Sequence, residues 1–380
     1  MSRIKTAVIG TGFVGRVHVE GIRRLGDVEL AGIADLSPQL ARQFGEQLGV
    51  ERAVGDYREL LADTEIRAVH ICTPNNLHFS IAKEAIAAGK NVVCEKPLAA
   101  SATEAAELCA LAQKQKIVHA TNYNLRYYPL VQHMRRLAAT GELGEILAVQ
   151  GTYSQDWLFY ETDYNWRLEP EAGGKSRAMA DIGSHWCDMV EYVTGLKITA
   201  LCAELQTFHK VRKKPKKPLE TYAGKLLQPE DYEDRPIQTE DYGAILLRLG
   251  ARARGALTVN QVAAGRKNRL LLEIYGTRRG LAWDGENPNE LWIGRRDGNN
   301  ELVVKDPSLL EVQARGYADL PGGHAEGYGD TFKQLFRQFY AAVRDPSRPA
   351  EIPTFAAGLR QLQIIESVLQ SSAKKTWLET

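Results

Sequence analysis

The sequence predicts an α/β protein with a doubly wound parallel sheet in its N-terminal part and a second α/β domain that carries an open, mostly antiparallel sheet. Strand and helix patterns alternate up to about residue 123, as in a parallel sheet with helical crossovers. Beyond that point strand patterns follow one another with few helices between them, as in an antiparallel sheet with one open face. We therefore expect two domains, residues 1–123 and 124–380, with a final helix that can pack back onto the first.

The N-terminal elements are set by short apolar runs and by helix caps. Helical periodicity lies between the runs, and the helix over residues 81–88 ends at Gly89, which suits a C-cap. Ser101 and Glu104 have the spacing of a capping box at the start of another helix. The apolar runs assigned to strands end at Ile9, Ala34, Thr73, Cys94 and Tyr123.

The C-terminal elements begin with a helix over residues 128–139 and end with helices over 329–342 and 355–371. Residues 210–240 are polar, and we interpret them as a solvated surface loop; an oligomer arm or an anion contact is the alternative. Because open sheets often pack in pairs, we expect a homodimer or homotetramer. The predicted strands span residues 146–154, 199–208, 242–249, 255–262, 269–275 and 291–294.

The composition is that of an ordinary soluble protein. The 380 residues are 44% apolar and carry a net charge of +1, so no global field favours nucleic acid or a membrane as a partner. The N-terminus enters a strand at once and no apolar run is long enough to span a bilayer, so we expect a cytoplasmic protein. The scattered cysteines form no C-x-x-C pair and predict neither a disulfide frame nor a metal site.

A glycine-rich turn is the most informative motif. Gly10, Gly12 and Gly15 follow the first apolar run in the pattern G-x-G-x-x-G, with Phe13 and Val14 before the last glycine. Such glycines allow a tight strand-to-helix turn and a close approach of the backbone to a pyrophosphate, which the helix N-terminus then faces. The turn predicts a Rossmann dinucleotide-binding domain.

An acidic residue at the end of the second apolar run selects the dinucleotide. Asp35 follows the glycine turn by about twenty residues, where its carboxylate can accept hydrogen bonds from both ribose hydroxyls and repel a 2′-phosphate. Leu36, Ser37 and Pro38 come next, and no arginine or lysine is adjacent. NAD is therefore favoured over NADP as the cofactor.

A second strand end places polar residues at the carboxyl edge of the parallel sheet, where ligands bind in such folds. Thr73, Pro74, Asn75 and His78 follow this strand and are predicted to contact the cofactor. A helix cap at Asn75 explains the same pattern, and both interpretations can hold.

A charged pair, Glu95 and Lys96, ends the next strand. Such a pair at the end of a buried strand needs a reason because desolvation of charge is costly. Lys96 could reach both ligand and cofactor, and a desolvated lysine can move protons or polarise an oxygen. An ordinary surface ion pair is the alternative.

Asp181, His185 and Asp188 have the spacing of one helix face. A carboxylate one turn from an imidazole can orient the ring and stabilise its charged form, as proton abstraction requires. The segment predicts a base, His185, with Asp181 as its orienting acid. A helix cap beside a structural histidine is the alternative.

These motifs occur in one order over most of the chain, and as an ordered set they resemble the Gfo/Idh/MocA family of glucose-fructose oxidoreductases and inositol dehydrogenases. The resemblance rests on GTGFVG, TPNNLH, CEKP, residues 124–126 before Pro129, Trp166-Arg167 and DIGSHWCD. It implies a Rossmann domain, a C-terminal α/β domain whose open sheet mediates oligomers, a tightly held nicotinamide cofactor, and sugar or cyclitol substrates.

The resemblance also implies roles for single residues. Lys96 would contact the substrate hydroxyl and the nicotinamide, and the bond between Lys96 and Pro97 is often cis in relatives. Asp181 and His185 match the family's catalytic acid and histidine. Further matches are expected near the cofactor or the substrate, namely Glu95, Asn124, Arg126, Trp166 and Arg167.

Two segments depart from or extend the family pattern. Lys175-Ser176-Arg177 adds about two residues before the helix of Asp181, and the cations Lys175 and Arg177 could bind a carboxylate or sulfonate of the substrate; a solvated cationic turn is the alternative. His324 lies in an H-x-E-G-Y element of some sugar and inositol dehydrogenases, where it would line the substrate site or cap the next helix.

The motifs predict a dehydrogenase acting on a secondary hydroxyl of a sugar, sugar acid or cyclitol. His185 would take the hydroxyl proton, directly or through Lys96, while Lys96 stabilises the developing alkoxide. The alternative is a redox-neutral, NAD-dependent glycosidase that oxidises the sugar, eliminates the aglycone, adds water and reduces again; the extra cations would suit a sulfo- or carboxy-glycoside. A non-catalytic dinucleotide sensor is disfavoured by the presence of both residues.

Overall fold

The computed structural model describes residues 3–216, 228–347 and 351–380. Its strands are β1 (Ile4–Ile9), β2 (Val28–Ala34), β3 (Ala53–Val54), β4 (Ile66–Ile71), β5 (Asn91–Cys94), β6 (His119–Thr121), β7 (Ile146–Ser154), β8 (Ile198–Gln206), β9 (Val211–Pro215), β10 (Tyr232–Pro236), β11 (Tyr242–Leu249), β12 (Ala253–Asn260), β13 (Arg269–Gly276), β14 (Arg279–Asp284), β15 (Glu290–Arg295), β16 (Glu301–Val304) and β17 (Leu378–Glu379). Its helices are α1 (Phe13–Arg23), α2 (Pro38–Leu48), α3 (Arg58–Leu61), α4 (Asn75–Ala87), α5 (Ala102–Gln115), α6 (Pro129–Ala139), α7 (Pro170–Gly173), α8 (Ser184–Thr194), α9 (Tyr328–Arg344) and α10 (Phe355–Lys374).

The chain forms two compact units, each built from two segments. The first comprises Met1–Tyr127 and Tyr328–Leu362, and the second comprises Tyr128–Gly327 and Gln363–Thr380. Helix α9 therefore belongs to the first unit, and α10 is divided between the two. The domains predicted from sequence, residues 1–123 and 124–380, are two consecutive segments. That division stays a prediction.

The first unit contains a six-stranded sheet in the order β3-β2-β1-β4-β5-β6, with every pairing parallel. The strand order reverses between β1 and β4, and ligands of doubly wound sheets bind outside the carboxyl ends of strands at such a point. The predicted Rossmann-type sheet is confirmed. The sequence does not predict strand β3, because two residues are too few to show the period-two alternation of a strand.

One of the two bonds of the predicted capping box is present in this unit, and the other is displaced by one residue. The hydroxyl of Ser101 accepts a hydrogen bond from the backbone N–H of Glu104 at 3.2 Å. The Glu104 carboxylate in turn accepts from the N–H of Ala100 at 3.0 Å, one residue before the cap. Both bonds satisfy donors that would otherwise lack partners at the start of α5.

The second unit contains a nine-stranded sheet in the order β16-β15-β14-β13-β7-β12-β11-β8-β17. Its pairings are antiparallel except that of β7 with β12. In β11, Ile245, Leu247 and Leu249 are buried while Leu246 between them is exposed, so one face packs and the other is open. Helices α6 and α8 contact strands of this sheet. The expected mixed, mostly antiparallel sheet is confirmed.

All of the strands predicted for the second half are present, with ends that differ by at most two residues. The edge strands β16 and β17 and the strand β14 were not predicted. Strands β16 and β17 have four and two residues, and β14 begins directly after the tight turn from β13. Among the described helices, none has both the length and the apolar character needed to cross a membrane.

The interpretation of residues 210–240 as a solvated loop is wrong for much of the described part. Strands β9 and β10 pair antiparallel from Val211 opposite Pro236 to Pro215 opposite Tyr232. The charged residues that suggested a loop pair across the two strands, as in the Lys213–Asp234 ion pair at 2.6 Å. Residues 217–227 lie outside the described residues.

A half-buried histidine gives the first unit a predicted acid sensitivity. Burial lowers the pKa of His119 on β6 to about 4, and its Nδ1 accepts a hydrogen bond from the N–H of Phe355, which needs a neutral ring. In the unfolded chain the imidazole of His119 binds a proton near pH 6.5, whereas in the folded protein it does so only near pH 4. The free energy of unfolding should therefore fall as the pH drops from about 6.5 to about 4, by roughly 2–3 kcal/mol from this group.

The His119→Asn variant checks this expectation by urea unfolding at several pH values. Asparagine keeps an acceptor near the Nδ1 position but does not titrate. The variant should lose less stability than the parent between pH 6.5 and 4.5. Parallel pH profiles for the two proteins would show that His119 does not contribute.

Candidate active site

The dinucleotide half of the predicted site is the turn between β1 and α1. Gly10 has a φ of +96°, and a Cβ there would lie 2.7 Å from the carbonyl carbon of Cys72. A Cβ on Gly15 would overlap the carbonyl oxygen of Gly10. By contrast, a Cβ built on Gly12 meets no atom of the described chain within 4 Å beyond the local backbone and the adjacent residues. Open space therefore lies over this backbone at the N-terminus of α1, which fits a pyrophosphate.

The Gly12→Ala variant should separate ligand binding from folding. The added methyl group meets no protein atom, so the melting temperature should change little, but it occupies the space through which the backbone would approach a pyrophosphate. We expect NAD affinity to fall by about tenfold to hundredfold, measured by calorimetry or NADH fluorescence. Gly316→Ala, at another glycine with open space, is the matched control and should bind NAD normally. Unchanged affinity in Gly12→Ala would contradict the assignment.

Asp35, the residue predicted to bind the ribose, lies next to this turn. Oδ2 of Asp35 accepts hydrogen bonds from the N–H of Thr11 at 3.0 Å and from its hydroxyl at 2.6 Å. Both bonds hold one carboxylate oxygen at the end of β2, and the group is partly exposed. Phe13 and Val14 open α1, with Phe13 exposed and Val14 half-buried. The geometry fits a carboxylate aimed at ribose hydroxyls.

Cofactor selectivity should follow the charge at this position. The double variant Asp35→Ser, Leu36→Arg removes the carboxylate that repels a 2′-phosphate and adds a cation next to the site of that phosphate. Leu36 is 72% exposed, so an arginine can be accommodated at this position. The ratio of NADPH to NADH affinity should rise by about a hundredfold, since each of the two changes contributes roughly 1.4 kcal/mol, or about tenfold. Leu36→Arg alone keeps Asp35 and should shift the ratio much less. Equal shifts in both variants would show that Asp35 does not discriminate.

The residues after β4 divide into an exposed and a buried set. Thr73, Pro74 and Asn75 are partly exposed, and Thr73 Oγ1 is buried without a hydrogen-bond partner in the described chain, which leaves it available to a ligand. Pro74 occupies the cap position of α4, so Asn75 is the first helical residue and not the cap. His78 is buried, and its ring nitrogens face the carbonyl oxygens of Thr73 and Pro97 at 2.9 and 2.7 Å. This arrangement favours a positioning role for His78.

The Glu95–Lys96 pair is not a surface ion pair. Glu95 is 8% exposed, and its Oε1 lies 2.9 Å from Nε2 of the buried His18. Its Oε2 accepts the backbone N–H of Lys96 at 3.2 Å. Burial alone would raise the pKa of Glu95, but the hydrogen bond and charge of His18 outweigh it and leave the pKa below its usual value. The bond between Lys96 and Pro97 is cis, as expected, and the Lys96 side chain is partly exposed.

The segment after β6 turns through Asn124–Tyr127 in a single 3₁₀ turn. Asn124 is buried, and its amide donates to the hydroxyl of Thr331 on α9 at 2.7 Å. Arg126 in the same turn is partly exposed. A direct contact of either residue with cofactor or substrate stays a prediction.

In the second unit, the predicted catalytic segment is not one regular helix. Met179–Gly183 form a π-helical turn, and α8 follows from Ser184. Asp181 lies in the π turn whereas His185 lies in α8, so the wider turn changes the i, i+4 relation on which their predicted shared face rests. Such turns recur at functional sites. His185 is 8% exposed and its ring lies 6.4 Å from that of Tyr153, between centroids.

The Asp181 carboxylate is held by two side chains that are distant in sequence. Its Oδ1 lies 3.4 Å from Nε of Arg167, and its Oδ2 accepts from the amide of Gln261 at 3.0 Å. The Arg167 guanidinium also lies 4.5 Å from the ring centre of Trp166, as a cation–π pair. The Trp166-Arg167 element and Asp181 are therefore brought together, as part of one polar network in this unit.

The cations Lys175 and Arg177 have different surroundings. Lys175 is exposed, whereas Arg177 is 1% exposed and forms a buried ion pair with Asp241. Its guanidinium also donates to Oε1 of Gln261 at 2.9 Å, and Arg212 pairs with the same Asp241 at 2.8 Å. The prediction that Arg177 binds an acidic group of the substrate is corrected, because its donors are committed to protein acceptors.

Glu240 holds the segment that contains Ser176 and Arg177. Its Oε1 accepts from the hydroxyl of Ser176 at 2.7 Å and from the N–H groups of Arg177 and Met179 at 2.9 Å each. A carboxylate in this position satisfies the free donors at the start of the π turn. His324 is exposed, with Nδ1 3.2 Å from the carbonyl oxygen of Gly322, and α9 begins four residues later. Its predicted contact with substrate stays untested.

Comparison with known proteins gives the family. Residues 4–123 match the sequence model of the GFO/IDH/MocA oxidoreductase family with an NAD-binding Rossmann fold, and residues 131–282 match the GFO/IDH/MocA C-terminal domain. The chain belongs to the Gfo/Idh/MocA family. It contains an NAD-binding Rossmann domain of the family type, so the predicted family and cofactor are confirmed.

The relatives of this Gfo/Idh/MocA chain include named dehydrogenases. Levoglucosan dehydrogenase of Pseudarthrobacter phenanthrenivorans is 28% identical over 100% of this chain and 98% of its own length. The structure of levoglucosan dehydrogenase in complex with NADH and levoglucosan aligns with a TM-score of 0.88 and 27% identity, covering 100% of this chain and 99% of that one. An inositol dehydrogenase homologue from Azotobacter vinelandii with NADH and myo-inositol aligns with a TM-score of 0.87 and 26% identity, covering 100% and 98%.

Several residues of this site were not found from sequence. His18 had a local signal, since it follows Gly15 by three positions on the inward face of α1. Gln261 and Asp241 had none, because they meet Asp181 and Arg177 only through the pairing of β11 with β12. The direct contacts of all these residues with cofactor and substrate remain predictions.

Proposed function

We propose that this Gfo/Idh/MocA protein is an NAD-dependent dehydrogenase of a secondary hydroxyl in a sugar, sugar acid or cyclitol. The observation that carries the proposal is the glycine turn with open space over Gly12 and with Asp35 beside it, in a chain that also holds Lys96 and His185 in the matching motifs. The names and ligands of the relatives, which include levoglucosan and myo-inositol, support the substrate class.

In the proposed reaction the chain's own residues handle a proton and a developing negative charge. His185 accepts the hydroxyl proton, directly or through Lys96, and the Lys96 ammonium stabilises the alkoxide oxygen. Bound NAD would supply the hydride acceptor. Asp181, held by Arg167 and Gln261, presents an oriented carboxylate in the same unit as His185. These roles are proposals that the family motifs support.

The substrate screen that tests this proposal uses NADH absorbance. The protein with NAD is mixed separately with levoglucosan, myo-inositol, glucose, uronates and sulfo-sugars. A sustained rise of NADH with at least one sugar or cyclitol is expected. No NADH from any of them, in a preparation shown to bind NAD, would overturn the proposed function.

The glycosidase alternative is decided by the same preparation with aryl glycosides. Release of the aglycone without net NADH would indicate the redox-neutral reaction. The named relatives above are dehydrogenases, and Arg177 is committed to protein acceptors, so neither the comparisons nor the buried cation favours an anionic glycoside.

We also propose that the protein assembles as a homodimer or homotetramer through the open face of its nine-stranded sheet. Leu246 on β11 points outward on this face and is exposed, and Gln150 and Glu273 hydrogen-bond across β7 and β13. Sedimentation equilibrium should give a multiple of the 42.2 kDa chain mass. A monomer at micromolar concentration would contradict it.

A further inference from the structure

A buried chain of hydrogen bonds runs through the first unit towards Lys96. Its direction is set at one end, where Thr6 Oγ1 donates to the carbonyl oxygen of Ala68 at 2.9 Å and accepts from the hydroxyl of Tyr340 at 2.8 Å. The single proton of Tyr340 is thereby used. Its oxygen must then accept from Nε2 of His70, which lies at 2.7 Å.

The two histidines continue the chain. Nδ1 of His70 and Nδ1 of His18 are 2.9 Å apart, so one proton lies between them. Nε2 of His18 lies 2.9 Å from Oε1 of Glu95, and this contact also needs a proton. With the proton on Nε2 of His70, the two histidines and Glu95 share three protons. Two neutral imidazoles beside an ionised Glu95 would hold only two. The extra proton is on an imidazole or on Glu95.

The surroundings of Glu95 assign the extra proton. Besides His18, the amide nitrogen of Asn122 donates to Oε1 and the N–H of Lys96 donates to Oε2. These two N–H donors, one on each carboxylate oxygen, favour the ionised carboxylate over the acid. Burial, together with the charge of the neighbouring His18, lowers the pKa of His70 well below its usual value. These contacts favour a positive charge on His18 over one on His70 or a protonated Glu95.

The backbone around Lys96 is fixed on both sides of this residue. The N–H of Glu95 donates to the carbonyl oxygen of Ile71 at 2.9 Å, and the carbonyl oxygen of Pro97 faces Nδ1 of His78 at 2.7 Å. Between them, the N–H of Lys96 is held by the Glu95 carboxylate. The orientation of that carboxylate depends on the charge that faces it.

We propose that His18, as an imidazolium, is a positioning residue for Lys96: it fixes the Glu95 carboxylate, which holds the Lys96 backbone and sets where the lysine side chain begins. The inference rests on the proposed function, in which Lys96 contacts the substrate. The rings of Phe332 and Phe336 on α9 enclose the imidazolium, with centroids 5.4 and 4.8 Å from that of His18. Its charged neighbour in this enclosure is Glu95.

The protonation state can be tested without substrate. Nitrogen NMR of the full chain labelled with ¹⁵N-histidine, with signals assigned through His18→Asn and His70→Asn, counts the protonated ring nitrogens. Three of the four nitrogens in this pair should carry protons in the folded protein, one more than two neutral imidazoles hold. Two protonated nitrogens would overturn the proposal.

The positioning step can be tested by hydrogen exchange at Lys96. Because Pro97 has no N–H, the exchange of the Lys96 amide is resolved from its C-terminal neighbour. His18→Asn and Glu95→Leu should each speed this exchange by about tenfold or more, the equivalent of about 1.4 kcal/mol of local protection. His119→Asn, which removes a half-buried histidine of the first unit, should leave the exchange of the Lys96 amide unchanged. Unchanged exchange in His18→Asn would overturn the proposal.

Kinetics separate positioning from a general loss of structure. Both variants should lower kcat by about tenfold or more per folded NAD-binding site, because a misplaced catalytic group is costly, with KM for NAD within about threefold. The double variant should be no worse than the worse single one, since His18 acts through Glu95. Additive losses would overturn the proposal. If the parent protein turns over no sugar or cyclitol, the proposed function fails while the NMR and exchange results still decide the role of His18.

Discussion

Lys96→Met and His185→Asn should each lower kcat by at least about a hundredfold while NAD still binds. The expected size is the share of general acid–base catalysis, about 10²–10⁴. Lys96 leaves the end of β5 with its backbone held by Glu95, and its side chain is partly exposed, so it can meet a ligand. His185 lies in α8 directly after the π turn that carries Asp181. Steady-state NADH formation and NAD titration measure the two effects.

Matched variants identify losses that come from misfolding. Lys83→Met removes an exposed lysine of α4 in the same unit as Lys96, and His209→Asn removes a histidine of the second unit that contacts the carbonyl oxygen of Phe159. Both should keep kcat within about twofold, as surface changes usually do. Near-normal turnover in either Lys96→Met or His185→Asn would contradict its assigned role.

Arg177→Met should destabilise the protein by about 3–5 kcal/mol, because it leaves a buried carboxylate with less compensation. Burial alone would raise the pKa of Asp241, but Arg177 and Arg212 outweigh it, so the group is ionised in the folded protein. Arg177 also sets the amide of Gln261, whose oxygen accepts from it while its nitrogen donates to Asp181. Urea unfolding measures the loss, and a reduced kcat should accompany it.

Lys175→Met is the matched control for Arg177→Met. The two cations are two positions apart in the sequence, but Lys175 is exposed and its loss should change stability by less than about 0.5 kcal/mol. If Arg177 were a substrate ligand in an open turn, both variants would keep the parent's stability and Arg177→Met would raise KM alone. That pattern would contradict the structural role.

The fold was largely predictable because its signals are local. The glycine turn, the period-two strands and the capping pair Ser101–Glu104 each depend on residues within a few positions of one another. Elements without a period, such as β3 with two residues, could not be recognised. The hairpin of β9 and β10 was misread because its charges pair across strands, and a sequence shows such charges only as a polar run.

The candidate site was predictable where one motif carries a whole function. Asp35 and the three glycines act within one turn, and the structure places them together. Arg177 looked like a ligand because sequence does not show that Asp241 and Gln261 lie against it. The contacts of His18 with His70 and Glu95 were equally hidden, since only the folded sheet brings these side chains together.

The most direct measurement mixes the NAD-loaded protein with levoglucosan or myo-inositol, or with the first sugar found in the screen, and follows NADH formation in a single turnover. The account predicts a burst of NADH that is slower when the reacting carbon carries deuterium, and that is lost in Lys96→Met and His185→Asn. NADH that forms at parent rates in both variants, or a protein that binds NAD yet reduces none of it with any sugar or cyclitol, would contradict the account.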